Sequence, residues 1–180
     1  MFEQSPRPRH SRLLCDFAQL DDSSNCAEED SEYLMGGLNS TIEKGGSYRC
    51  LGTGQTSHIS VYANNRWNDS GVDVVSGQIY TFCVPASEKW IDSRTICGAD
   101  GFASNWQMRP LELFRRAPEA NWFRLIATIG RSTKRRIAVG SRLTDFLPPF
   151  PGRLYFFAND VPWMYWNNKG VIAVRVTRIQ

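Results

Sequence analysis

Residues 171–179, VIAVRVTRI, place Ile172, Val174 and Val176 on one side of an extended chain and Arg175 and Thr177 on the other. That period of two marks a strand with one face in a core and one in solvent. Upstream of it, short β-branched and aromatic runs broken by Gly, Asn, Asp and Pro recur from His58 onward. The sequence predicts strands at 58–63, 72–75, 78–84, 122–129, 136–139, 153–158 and 171–179. There is no long amphipathic helix and no repeat of solenoid or propeller length, and only APEANW, residues 117–122, has room for a helical turn. The expectation is an all-β fold, a β-sandwich.

The 180 residues suit one ordinary domain with an appendage. Residues 1–55 read as a polar, acidic N-terminal arm around LDDSSNCAEEDSE, partly ordered at most, with Leu13, Leu14, Phe17, Leu20, Tyr33, Leu34 and Met35 as the groups that would cover a surface. Residues 56–180 read as the sandwich domain. A formal charge of +3, from 21 Lys and Arg against 18 Asp and Glu, is too weak a field to argue for nucleic acid or an anionic membrane. No apolar run approaches the roughly 18 residues of a membrane span, and the first 17 residues hold no apolar h-region of a signal peptide. The cell compartment stays open. Cys15, Cys26, Cys50, Cys83 and Cys97 form no C-x-x-C pair and only two histidines exist, which speaks against zinc or thiol-redox chemistry. Five is odd, so at least one thiol is unpaired whether Cys83 and Cys97 or two upstream cysteines bridge.

Between the last two predicted strands lies the most unusual stretch, FFANDVPWMYWNNKG at 156–170. A connection from Asn159 to Gly170 is longer than a hairpin turn needs, and such connections tend to be functional. Asp160 at its start, Asn167 and Asn168 at its end and free carbonyls between them are what a hard cation such as Ca²⁺ takes, about six to eight oxygens in tolerant geometry. Adjacent strand residues diverge, so Asn167 and Asn168 converge only where the backbone bends, which Gly170 would permit. The rhythm is not that of an EF-hand. The competing reading has Asn and Asp making ordinary turn contacts. Trp163, Tyr165 and Trp166 suit the apolar face of a sugar ring or, equally, a protein partner.

Catalysis finds little support. The domain's acids, Asp73, Glu88, Asp92, Asp100, Glu112, Glu119 and Asp145, read as solvated turn residues, and G-x-S-x-G, P-loop and H-E-x-x-H motifs are absent, so no enzyme is expected. Arg131, Lys134, Arg135, Arg136 and Arg142 in RSTKRRIAVGSR read as a solvated loop and strand edge.

VYANNRWNDSGVDVVSGQIYTF, IGRSTKRRIAVGS and GRLYFFANDVPWMYWNNKGVIAVRV together resemble the PA-I-type calcium-dependent galactophilic lectin family of bacteria, over about residues 58–180. The family's pattern is V-x-A-N near the start of the domain, G-D-x-I-x-[IF] in an early strand, I-G before a small polar loop, and N-D-V-P-x-x-x-x-N-N-x-G before the last strand. The resemblance implies a galactose-binding-like jelly-roll sandwich and a Ca²⁺ cofactor held by side chains of Asp160, Asn167 and Asn168 and by carbonyls of Met164 and Trp90, with two sugar hydroxyls completing the shell. It implies sugar contacts from Asp160, Val161, Asn167 and Gln107, beside which Trp163 and Trp166 stand where the family commonly has small residues. The family's galactose-holding histidine has no counterpart in GADGFASNWQM. The implied partner is a glycan, galactose or a related sugar, and a homo-oligomer stays open. The alternative is a non-catalytic interaction or structural domain whose calcium loop is vestigial or purely structural.

Overall fold

The computed structural model describes residues 49–106 and 108–180. Ten strands run in chain order as β1 (Thr56–Tyr62), β2 (Asn68–Val74), β3 (Tyr80–Cys83), β4 (Trp90–Asp92), β5 (Thr95–Cys97), β6 (Leu125–Ile129), β7 (Arg136–Ala138), β8 (Arg142–Phe146), β9 (Gly152–Ala158) and β10 (Asn168–Arg178). They form two antiparallel sheets. One has the order β5-β4-β10-β3-β8 with β1 also on β10, and the other the order β2-β9-β6-β7.

β10 is the spine of the first sheet. It carries the strongest alternation in the sequence, and Ile172, Val174 and Val176 are fully buried as that alternation requires. β1 pairs along it from Thr56↔Thr177 to Tyr62↔Val171. Its other edge is shared, with β4 pairing at Asn168↔Asp92 and Gly170↔Trp90 and β3 at Arg175↔Cys83 through Arg178↔Tyr80. β6 and β9 build the centre of the second sheet, and all five residues of β6 are buried. The sheets meet through Phe82 and Phe156, whose rings pack edge to face at 6.2 Å. Removing some twenty such apolar side chains from water at ~25 cal/mol per Å² is the main force holding the layers together.

Seven predicted strands exist, most with shifted ends, and β4, β5 and β8 were not expected. β4 and β5 are only three residues each, joined at a turn where Ser93 takes φ 53°, and β8 is a sheet edge on which Arg142, Thr144 and Asp145 are exposed. The helical turn expected at 117–122 is a non-helical turn, and the 3-10 turn lies upstream at Arg109–Phe114. Ahead of β1, Leu51 is buried in the core and the Arg49 N–H donates to Asp73, so the packed unit takes in residues before position 56. Cys97 is a buried free thiol that burial pushes up to about 11, and Cys50 is an exposed one, so Cys83 and Cys97 do not bridge. No helix among the described residues is long and apolar enough to cross a membrane.

Candidate functional site

The connection from β9 to β10 is not a floppy loop, because its side chains are tied to the sandwich from beneath. Asn159 is fully buried and fully used. Its Oδ1 accepts from the Ala117 N–H at 2.9 Å, and its Nδ2 donates to the carbonyls of Ala117 and Asn121, each at 2.8 Å. Tyr165, also buried, donates its hydroxyl to the Ala158 carbonyl and accepts from Arg116 at 3.0 Å. The Arg116 guanidinium lies 3.5 Å from the Phe157 ring centre and 4.1 Å from that of Trp67, a buried cation held by aromatic faces. Arg66 donates to the Pro162 carbonyl. These contacts fix the loop's backbone before any ligand is considered.

On this frame sit the three residues singled out by sequence. Asp160 is 1% exposed. Its Oδ1 accepts from the Val161 N–H at 2.6 Å, and its Oδ2 accepts from the Asn168 Nδ2 at 2.9 Å. Asn168, 3% exposed, also donates to the Ala63 carbonyl at 3.4 Å. The side-chain oxygens of both Asn167 and Asn168 are buried and accept no hydrogen bond. Buried amide oxygens are nearly always satisfied, so orphans on two consecutive residues, one of which touches a buried carboxylate, are an anomaly that calls for an electropositive group. Burial holds the Asp160 carboxyl above its ordinary value, against the Asn168 amide and the Val161 N–H, which lower it.

A 3-10 turn, Tyr165–Asn167, gives way to extended backbone at Asn168, with φ −79° and ψ 142°, so these two neighbours leave the chain from a change of backbone shape and not from a regular strand. Gly170 does something other than the bend expected of it. It takes φ +96°, and an added Cβ would lie 3.1 Å from the Trp90 Cα, so this glycine lets β10 and β4 approach closely.

The remaining expected residues fall as follows. Met164 lies within the loop, and its carbonyl accepts from the Asn167 N–H at 3.2 Å, leaving a second lone pair. Trp90 is on β4 opposite Gly170, with its indole in the core donating to the Gly98 carbonyl at 3.1 Å. Val161 is fully buried. Trp163 and Trp166 are 53% and 82% exposed, and Trp163 packs edge to face on exposed Phe114 with ring centres 5.6 Å apart. Gln107 lies outside the described residues.

Asp92 escaped the sequence reading. Taken as a turn acid, it is instead the last residue of β4, 8% exposed and paired in register with Asn168. Burial, and then the neighbouring Asp160 charge, push its carboxyl up to about 6. Asp73 is a second correction, since it is buried and ion-paired with Arg153 at 2.9 Å. No signal short of the β4–β10 register would have exposed Asp92. Among the described residues no three His, Cys, Asp or Glu side chains gather at one point, so a zinc-type constellation is not what this site offers.

A solved structure described as "EclA N-terminal domain; PllA-like lectin" superposes with a TM-score of 0.50 over 68% of this chain and 95% of that one, at 22% identity. This chain has a lectin-type fold. No protein-family model and no curated protein matches it. At that identity the likeness speaks for the fold and leaves the site to be argued from its own atoms.

Proposed function

We propose that the chain is a calcium-dependent carbohydrate-binding module taking galactose or a related sugar. The observation that carries this reading is the pair of buried amide oxygens, on the consecutive residues Asn167 and Asn168, that accept nothing, the second belonging to the amide that touches the buried Asp160 carboxylate. Hydrogen-bond donors would have been easy to supply there, and a hard cation is what oxygen-only donor sets of this kind take. Asp160, Asn167 and Asn168 would hold the ion by side chains, and Met164 and Trp90 by carbonyls. Bound calcium supplies an oxophilic centre on which neighbouring sugar hydroxyls complete the coordination. Exposed Trp163 and Trp166 give aromatic surface for the C–H face of the sugar or of the residue next to it. The role is recognition without catalysis, in keeping with the lectin fold.

The exposed apolar group of Leu113, Phe114 and Trp163 also favours a second reading, a protein-contact surface on a sandwich that keeps the ion for stability. A glycan array probed with the full chain in calcium and in chelator separates the two. Binding of galactosides only in calcium is expected. Equal binding in chelator, or none in calcium, would reject the lectin reading.

A further inference from the structure

The donor set that the resemblance implies contains one carboxylate, and the structure holds a second in the right place. β4 and β10 are antiparallel and pair Asp92 with Asn168. Side chains of directly opposed residues stand on the same face with Cβ atoms about 4.5–5.5 Å apart. Asn168 uses that face to reach Asp160 Oδ2 at 2.9 Å, so Asp92 faces the same region from the opposite wall. Asp92 is nine-tenths buried, yet its carboxylate takes part in no hydrogen bond or ion pair among the described residues. Around Asn168 the protein thus collects two buried carboxylates and a buried amide oxygen without a donor, with a second such oxygen on the adjoining Asn167, and no basic side chain contacts either carboxylate among the described residues. Buried like charges with no counter-ion are costly, and a fold retains them where a cation offsets them.

We propose that Asp92 is a further calcium ligand, bringing a second carboxylate to the site from β4. This rests on the calcium reading of the loop. It adds a charged ligand from β4 to a site already shared by the β9–β10 loop and the sheet, with two negative charges facing a divalent ion instead of one. The charge of the donor set tunes calcium affinity, so the site is tighter than one built on Asp160 alone.

The test uses the metal-stripped full chain. Calcium chloride is titrated calorimetrically into the parent, Asp92→Asn and Asp160→Asn, and each is melted in chelator and in calcium. Asp92→Asn should weaken calcium binding about tenfold or more. Its melting temperature in chelator should stay level or rise, because a like-charge contact is gone. That crossover, firmer without calcium and weaker with it, is what a ligand gives and a structural aspartate does not. Calcium binding unchanged in Asp92→Asn but lost in Asp160→Asn would overturn the role of Asp92 and leave the loop site standing. A lower melt in chelator for Asp92→Asn would also overturn it, marking a residue that supports the fold. A parent that binds no calcium would remove the loop site and Asp92 together.

Discussion

Asn159, Asn167 and Asn168 present the same amide in three settings. Asn159 spends its oxygen and nitrogen on the 117–121 turn, whereas Asn167 and Asn168 each keep an oxygen unspent. Asp160 is the counterpart to Asn168, since its carboxylate accepts from that amide as well as from the Val161 N–H. Asp160→Asn keeps the shape and removes a negative charge, so calcorimetric calcium affinity and galactoside binding should both fall by about a hundredfold while the fold survives. Asp145→Asn is the control. Asp145 is exposed on β8 at φ 53°, a conformation asparagine accepts readily, and both readouts should match the parent. Equal calcium binding by Asp160→Asn would remove the basis for the site.

At the scale of elements, the loop's geometry is inherited from its anchors. Asn159→Ala strands several buried groups of the 117–121 turn and should cost roughly 2–4 kcal/mol by denaturant unfolding in chelator. Gly170→Ala must fit a Cβ 3.1 Å from the Trp90 Cα at φ +96°, and should cost about 1–3 kcal/mol while pushing β4 from β10. If both variants unfold like the parent, the loop is not held as described. This is also the scale at which legibility changes. β10 was readable because an alternating face buries itself in any sandwich, and Asp160, Asn167 and Asn168 were readable because they crowd into one connection. β4 was not, since three residues carry no period, and Asp92 went unseen with it. What makes Asp92 notable is its opposition to Asn168, a relation across 76 positions that exists only once β4 has paired with β10. Phe114 likewise became part of the loop's surface only through its contact with Trp163.

For the whole molecule, the site ties a loop to the central strand of the larger sheet, so its charge state acts on global stability. An ion that binds only the folded chain stabilises it by about 2.7 kcal/mol at a hundredfold excess over Kd, and millimolar calcium should raise the melting temperature by several degrees over chelator. In chelator, the same site makes stability depend on pH. The folded chain holds the Asp92 proton up to about 6 against 3.8 for an ordinary aspartate, because burial and then Asp160 disfavour the charged form. A raised folded pKa means a contribution that is whole below the unfolded pKa and lost as pH rises through the folded one. Asp69 and Glu119, with lowered pKa values, act in the opposite sense, so the contribution of Asp92 is read as a difference. In chelator, Asp92→Asn should melt above the parent at pH 7, and the gap should close as pH falls from about 6 towards 4. A gap that stays constant across that window would show that Asp92 carries no buried charge at neutral pH, and the two-carboxylate account of the site would fail with it.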